Sequence, residues 1–255
     1  NGTVSISASN GDIDLQGSVD NENGNVVIVN STSGNGNVTV NNVSAGTSYN
    51  ITNSGNGLLT VKGELTSNND SVISAENTGA NSGLVIEDTA VVNNNDGILD
   101  IRNSGQRGSV IAGEINNALS SDSVVQITNN NGLLNLSADI RNGDSAGALN
   151  EVSIINNGSG LTISGGVIDN YGTLHIENNG GETNLNGAIN AYLGSTTEFI
   201  HGTDSDLHIG MQLENRGNTI TIENSGTGSM YIDEGANLSV YSVNEGGQNY
   251  EGVLN

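Results

Sequence analysis

A short phrase recurs at nearly even spacing along the whole chain, and it constrains the fold more than any other feature. The phrase alternates apolar and variable residues and ends in asparagine, as in residues 99–103 (LDIRN), before a turn rich in Ser, Asn and Gly. Its closing asparagines are Asn30, Asn53, Asn77, Asn103, Asn129, Asn156, Asn178 and Asn224. Ala8 and His201 take the same place in two degenerate copies, so the copies follow one another at intervals of 22–27 residues. Repetition with this period is the sequence signature of a solenoid.

Each copy contains two further short strands after the first. A turn follows the asparagine, and a second apolar pair comes next, such as Leu59 and Val61. A glycine and a third apolar position complete the copy, as in Gly63 and Leu65. Alternation of apolar and polar residues over so few positions is typical of half-buried β-strands. The sequence therefore predicts an all-β fold, a right-handed parallel β-helix or three-sided β-solenoid, with about ten rungs of 22–27 residues.

The repeat also predicts how the chain is organised. We expect one continuous β-helix region over residues 1–238, and over residues 239–255 either a divergent final rung or a continuation into a longer protein. A single rung cannot bury its inward Val, Ile and Leu side chains, whereas stacked rungs bury them continuously. Because the end of such a stack exposes unpaired strand edges, we expect either further rungs or head-to-tail self-association.

The repeated asparagine has two interpretations. At one corner of every rung its amide would stack on the next, and this predicts a ladder of side-chain hydrogen bonds along the rod. The alternative is that asparagine is used at each corner because it tolerates turn conformations. The even spacing of the series favours the ladder.

Composition and charge exclude several kinds of partner. Five Lys and Arg residues against 28 Asp and Glu cannot neutralise a phosphate backbone, so no nucleic acid is expected as a partner. There is no cysteine, which excludes disulfides and thiolate metal sites. No apolar run is long enough to span a bilayer, so no membrane insertion is expected. The net charge of −23 is compatible with disorder, but the absence of proline and the ordered apolar alternation argue against it.

The candidate metal ligands are acidic. Calcium prefers oxygen donors, and the four candidates for its ligands are Asp12, Asp14, Asp204 and Asp206. The alternative is a solvated acidic face. His201 and His208 flank one pair, but their spacing matches no familiar zinc motif. We therefore expect no cofactor, with calcium as the one open exception.

Aromatic residues suggest a different kind of site. Tyr231, Tyr241 and Tyr250 fall within twenty residues of one another, and tyrosine combines an apolar ring with a polar tip. They form a possible binding patch for a carbohydrate or another protein, and the alternative is a cap or a wider rung. The five basic residues are too scattered in the sequence to predict a catalytic groove, so we expect no enzyme activity.

Several phrases of the repeat resemble a known family. Residues 10–17 (NGDIDLQG), 53–61 (NSGNGLLTV) and 160–166 (GLTISGG) resemble repeats of filamentous-haemagglutinin-like bacterial surface adhesins, which are exported by two-partner secretion, and of autotransporter passengers. The resemblance covers essentially the whole chain. It implies an extracellular shaft on a bacterial cell surface that mediates attachment or aggregation, or that assembles into filaments. Its partners would be a protein or glycan of a host or neighbouring cell.

Two other functions stay open beside the adhesin. One is a polysaccharide-active β-helix, either a lyase or a tailspike-like hydrolase. The other is a fibre component of a phage or of a surface layer. All three share the predicted rod, so the fold alone does not separate them.

Overall fold

The solenoid predicted from the repeat is present. A computed structural model describes residues 2–31, 34–67, 71–117, 122–146, 148–245 and 248–255. In these ranges the regular secondary structure is entirely β-strand, arranged as parallel ladders that stack into a β-solenoid of about ten turns. The all-β prediction and the parallel stacking are confirmed. Within the same ranges there is no helix long and apolar enough to cross a membrane.

Three ladders of strands form three faces, which we call A, B and C in the order in which the chain visits them. Strands are numbered along the chain. Face A comprises β1 (Thr3–Ala8), β3 (Asn25–Asn30), β5 (Ser48–Asn53), β8 (Ser71–Asn77), β11 (Gly97–Asn103), β14 (Val124–Asn129), β17 (Glu151–Asn156), β20 (Thr173–Asn178), β23 (Thr196–His201), β26 (Thr219–Asn224) and β31 (Val253–Leu254).

Faces B and C share their first two strands, since β2 (Ile13–Asn21) and β4 (Val38–Ala45) each run along both. Face B continues with β6 (Leu58–Val61), β9 (Gly83–Ile86), β12 (Ser109–Ile111), β15 (Leu133–Leu136), β18 (Gly160–Ile163), β21 (Glu182–Leu185), β24 (Leu207–Ile209) and β27 (Met230–Ile232). Face C continues with β7 (Glu64–Ser67), β10 (Val91–Asn94), β13 (Glu114–Asn117), β16 (Ile140–Asn142), β19 (Val167–Asn170), β22 (Ala188–Ala191), β25 (Gln212–Arg216) and β28 (Asn237–Tyr241). β29 (Val243–Glu245) and β30 (Gln248–Tyr250) form an antiparallel hairpin outside the ladders.

The register on face A follows the repeat. Asn30, Asn53 and Asn77 lie directly opposite one another on successive strands, and the same column continues to His201 and Asn224. Rung length varies, yet the pairing of these residues does not. The extra residues of the longer rungs are therefore accommodated in the connections between strands.

The interior is filled by the alternating apolar residues. Along β3, for example, Val26 and Ile28 are fully buried whereas Val27 between them is partly exposed. Removal of these aliphatic side chains from water is the main favourable term for stacking the rungs. Small branched side chains fill this narrow interior, which also takes Tyr49 and Phe199, the single phenylalanine of the chain.

Close approach at the corners requires glycine at particular positions. Gly181 has a φ of 67°, in the left-handed region, and a Cβ atom there would lie 1.8 Å from the carbonyl oxygen of Ser159 in the preceding rung. No side chain fits at that distance, and glycine adopts this φ at no steric cost. The corner glycines thus allow successive turns to stack at strand spacing.

The last rung differs from those before it. β28 still pairs in parallel with β25, and β31 returns to face A beside β26. Between them the chain leaves the solenoid in the β29–β30 hairpin. Residue 239, where we predicted divergence to begin, lies inside β28, and the chain leaves the ladder only after Tyr241 at the end of that strand.

Candidate functional site

The predicted asparagine column contains an unbroken run of amide hydrogen bonds over five rungs. The side-chain nitrogen of Asn77 donates to Asn103 Oδ1 at 3.1 Å, and Asn103 donates to Asn129 at 2.9 Å. Asn129 donates to Asn156 at 2.8 Å, and Asn156 to Asn178 at 2.7 Å. All five side chains are buried. We call this run the first ladder.

The remaining residues of the column have other partners. Asn178 donates to Thr183 Oγ1 at 2.7 Å, and that hydroxyl in turn lies 2.7 Å from Nδ1 of the buried His201. Asn30 and Asn53 donate to main-chain carbonyl oxygens of their own or a neighbouring turn. Asn224 donates to the Gly228 carbonyl at 2.7 Å, while its buried Oδ1 has no hydrogen-bond partner among the described residues. The amide run therefore does not extend to Asn224.

A second ladder, which the sequence analysis missed, occupies the corner where face C ends. Ser67 donates to Asn94 Oδ1 at 2.9 Å, and Asn94 donates to Asn117 at 2.9 Å. The run continues from Asn117 to Asn142 at 3.0 Å and from Asn142 to Asn170 at 2.8 Å. The signal was present, because each of these asparagines stands two residues after a buried apolar residue, as in the first ladder.

Both ladders satisfy main-chain groups that the corners bury. Asn117 also donates to the carbonyl oxygen of Glu151 at 3.1 Å, and Asn142 donates to that of Thr173 at 2.8 Å. A buried carbonyl without a partner would be costly, so an amide with two donor hydrogens suits this position. These side chains hold successive rungs together, and their chemistry is structural.

The four candidate calcium ligands are engaged in hydrogen bonds. Asp12 Oδ1 accepts the main-chain N–H of Asn37 at 2.7 Å, and Asp206 Oδ1 accepts that of Ser229 at 3.0 Å. Both donors lie one rung further along, so these carboxylates join neighbouring turns. Asp14 accepts instead from the side chain of Gln16, two residues away, at 3.0 Å.

Asp204 shows the same bridging between rungs. Its carboxylate accepts the hydroxyl of Thr227 at 2.7 Å, and this hydrogen bond, with a second from the Thr227 main chain, lowers the pKa of Asp204. No group of three His, Cys, Asp or Glu side chains in the described ranges is arranged to hold a metal ion. Calcium binding stays a prediction.

The two histidines near these aspartates lie in different environments. His201 is buried in the asparagine column, where Nε2 lies 2.7 Å from the carbonyl oxygen of Ser205. His208 lies on the outer surface of face B, 3.2 Å from Asp233. One side chain points into the rod and the other points out, so they do not form a shared site.

The three C-terminal tyrosines are distributed over different surfaces. Tyr231 lies on the outside of face B, where its ring stacks on His208 with 4.9 Å between centroids. Tyr241 ends β28 on face C, and Tyr250 belongs to the hairpin, with its hydroxyl 2.9 Å from Gln248. Tyr231 therefore does not belong to one patch with Tyr241. Proximity in sequence was misleading, since residues ten apart in a solenoid lie on different faces.

Tyr241 instead belongs to a column that the sequence analysis missed. Tyr171 and Tyr192 follow the ends of successive face C strands, and their rings stack in parallel with 4.0 Å between centroids. The guanidinium of Arg216, one rung further, lies 5.0 Å from the centre of the Tyr192 ring, and Tyr241 pairs opposite Arg216. We call Tyr171, Tyr192, Arg216 and Tyr241 the tyrosine column.

The column is held by polar contacts on face C. The hydroxyl of Tyr192 donates to Asp169 at 3.3 Å, and Arg216 pairs with Glu214 at 3.0 Å. Burial, together with a hydrogen bond to Tyr171, raises the pKa of Tyr192 to about 12. The hydrogen bond with Glu214 raises the pKa of Arg216. The column forms an edge along face C.

Face C also carries shallow grooves on its outer surface. One of about 390 Å3 is lined by Glu114, Asp139, Arg141 and Asp169, which brings a basic residue among three carboxylates. Asp139 is two residues from Arg141 in the sequence, whereas Glu114 and Asp169 come from the adjacent rungs and are distant in sequence. Arg141 was therefore interpreted as isolated.

Comparison with known proteins gives no relative from which a function could be transferred. No family model, no curated protein and no solved structure matches the chain.

Proposed function

We propose that this chain is a structural and adhesive shaft segment of a secreted bacterial surface adhesin. The observation that carries the proposal is the unbroken stack of about ten turns, in which strands of all three faces pair in parallel from rung to rung. At a strand spacing of about 4.8 Å, ten rungs span roughly 50 Å along the axis. A rod of this kind holds other parts of a surface protein at a distance from the cell.

The way in which the chain uses its polar residues supports a shaft. The buried asparagines of both ladders bond to one another and to corner carbonyls, which joins each rung to the next. The outer surface is strongly acidic, with a net charge of −23 over the chain. Such a charge keeps a rod soluble and discourages nonspecific lateral association with similar rods.

The geometry of the ends suits longer assemblies. In the described chain, β1 has one ladder neighbour, β3, and the last strands of faces B and C have one each, β24 and β25. Their free edges can pair with a further rung, either of the same polypeptide or of a second copy. Head-to-tail growth in this register would extend all three faces without a break.

One observation favours a second candidate, a polysaccharide-cleaving β-helix. Arg141 lies in one groove with Glu114, Asp139 and Asp169, and glycoside hydrolysis needs paired carboxylates beside a bound sugar chain. Two of these carboxylates already bond to neighbouring rungs, because Asp139 accepts the main-chain N–H of Val167 and Asp169 accepts the amide of Asn190, both at 2.8 Å. Their engagement favours the shaft over the enzyme.

Immunogold electron microscopy of the cells that produce the protein tests the proposal, with an antibody raised against this chain. We expect label along thin filaments on the cell surface. Label on phage tails would replace the adhesin with a phage fibre. Label confined to the culture fluid, together with release of reducing ends from polysaccharides that is lost in Asp139→Asn, would favour the enzyme and contradict the shaft.

A further inference from the structure

We propose that the groove beside the tyrosine column binds a neutral glycan. This inference rests on the proposed function, and it specifies the class of ligand that the adhesive shaft would bind. The groove lies on the outer surface of face C, across β22, β25 and β28. It has a volume of about 190 Å3, with Tyr241 on one side and Gln212 on the other. This is space for a group about the size of one sugar ring.

Parallel register builds the floor of the groove from three successive rungs. Asn190 pairs opposite Glu214, and Glu214 pairs opposite Ser239. Their side chains therefore form a row that runs along the rod axis, with the tyrosine column beside it. A ligand lying along this row would meet a planar group on one edge and amide, carboxylate and hydroxyl groups beneath it.

The polar groups of the groove match the hydroxyls of a sugar. Asn190 and Gln212 each donate one hydrogen bond within the rod, and each keeps a second amide hydrogen and an oxygen for a ligand. The Ser239 hydroxyl donates to Asn237 and can still accept, and Glu214 keeps the carboxylate oxygen that does not pair with Arg216. The exposed ring of Tyr241 supplies an apolar surface for the C–H groups of a pyranose, and its hydroxyl supplies a polar tip. A ligand pocket of this sort combines ring contacts with a few fixed polar groups.

Charge selects against ionic ligands at this place. Arg216 is the cation of the column, and its guanidinium already pairs with Glu214 at 3.0 Å. Sulfated or phosphorylated glycans would also meet the repulsion of a chain with net charge −23. A cationic ligand would find Glu214 engaged by Arg216, and the carboxylate of Asp169 engaged by Asn190 and Tyr192. An uncharged, hydroxyl-rich ligand fits best.

Gln212 and the aromatic stack next to the groove are held by their neighbours before any ligand binds. The Tyr192 ring lies between Tyr171 and the guanidinium of Arg216, and the amide of Gln212 donates to the Gly235 carbonyl at 3.0 Å. Groups fixed by their neighbours lose little freedom when a ligand binds. The rung spacing of about 4.8 Å is comparable with the length of one unit in an extended glycan, so neighbouring sugars would lie beside neighbouring rungs.

A panel of immobilised neutral hexose and N-acetylhexosamine oligomers, with sulfated oligomers beside them, tests the inference on the purified chain. We expect at least one neutral series to bind and the sulfated oligomers to bind less. Calorimetry on the best neutral oligomer should then show that Tyr241→Ala and Gln212→Ala each lower the affinity by about tenfold or more, the loss expected at a hot-spot contact.

Tyr231→Ala is the matched control, because Tyr231 is about as exposed as Tyr241, 45% against 49%, but lies on face B. Its affinity should equal that of the unmodified chain. Failure of every neutral oligomer to bind, tighter binding of the sulfated oligomers, or an equal loss in Tyr231→Ala and Tyr241→Ala would each overturn the inference. Filament labelling on cells is measured independently, so a failed glycan site and a failed shaft give different results.

Discussion

The central rungs (residues 71–178) and the C-terminal rungs (residues 196–255) share one backbone plan but use their side chains differently. In the central rungs both corners carry amide ladders, with Asn103 and Asn117 as typical members. In the C-terminal rungs the corresponding corner positions include His201 and Asn215, which bond to nearby hydroxyl and main-chain groups. The strands nevertheless stay in register through the change.

This difference shows that register does not depend on the ladders. Main-chain pairing and the inward aliphatic residues suffice to stack the strands. The asparagine amides additionally provide hydrogen-bond partners for main-chain groups buried at the corners. The outer surface also differs between the two regions, because Tyr192, Tyr231 and Tyr241 lie beyond the central rungs, whereas Tyr171 lies within them. We infer that the central rungs are specialised for stability and that recognition is concentrated towards the C-terminal rungs.

Removing one ladder amide should have the largest effect. Asn129 accepts hydrogen bonds from Asn103 and Ser109, and it donates to Asn156 and to the Gly132 carbonyl. Because each buried polar group left without a partner costs about 1–3 kcal/mol, we expect Asn129→Ala to lower the free energy of unfolding by about 4 kcal/mol. The shift in the urea midpoint of unfolding measures this loss, provided that the dependence of the free energy on urea concentration is unchanged.

Asn224→Ala is the matched variant in the C-terminal rungs. Asn224 is half-buried and donates to the Gly228 carbonyl, so we expect a loss below about 1 kcal/mol. Equal losses for Asn129→Ala and Asn224→Ala would show that the two regions do not differ in their use of asparagine.

Truncating an inward aliphatic residue should have the next largest effect, and it should depend on the rung. Ile209 and Ile232 pair opposite each other on face B, yet Ile209 is 1% exposed and Ile232 is 66% exposed. Ile209→Ala should cost about 3 kcal/mol through lost burial and a cavity, and Ile232→Ala less than about 1 kcal/mol. Thermal and urea unfolding of both variants measure the difference. A large loss in Ile232→Ala would mean that this end of the rod is covered in solution.

The periodic part of the fold could be predicted from the sequence because one strand phrase is repeated with little change. Asn30, Asn53 and Asn77 were placed in one column by spacing alone, and that column is the observed register. The second ladder was missed although Ile115 and Asn117 repeat the same apolar-x-Asn pattern. Its strands are short and follow connections of variable length, so their spacing is a weaker signal.

The tyrosine column could not be found by looking for residues close together in the sequence. In a solenoid, surface neighbours are separated by about one rung, and Tyr171 therefore contacts Tyr192, whereas Tyr231 and Tyr241 lie on different faces. The presence of Arg141 in one groove with Glu114 and Asp169 has the same origin. Only the register of all three faces, including their unequal connections, predicts such contacts.

The smallest expected effect concerns a tyrosine inside the rod rather than on its surface. Tyr49 is fully buried, and its hydroxyl has no hydrogen-bond partner among the described residues. Removing this hydroxyl leaves the ring packing in place and relieves an unsatisfied polar group. We therefore expect Tyr49→Phe to raise the free energy of unfolding by about 1 kcal/mol at neutral pH. Tyr241→Phe, at an exposed hydroxyl, should leave it unchanged.

Tyr49 also predicts how the free energy of unfolding changes at alkaline pH, and this change tests whether its hydroxyl is shielded from water. Burial raises the pKa of Tyr49 well above its ordinary value, so the unfolded chain loses this proton first as the pH rises above about 10. The free energy of unfolding is therefore unaffected by this group below about pH 10. Above that pH it falls as the pH rises, by at most about 1.4 kcal/mol per pH unit. Urea unfolding at pH 8 and pH 11 should show a smaller alkaline loss in Tyr49→Phe than in the unmodified chain. If both lose the same stability, the Tyr49 hydroxyl reaches water in the folded rod, and the interior at this rung is less closed than in the central rungs.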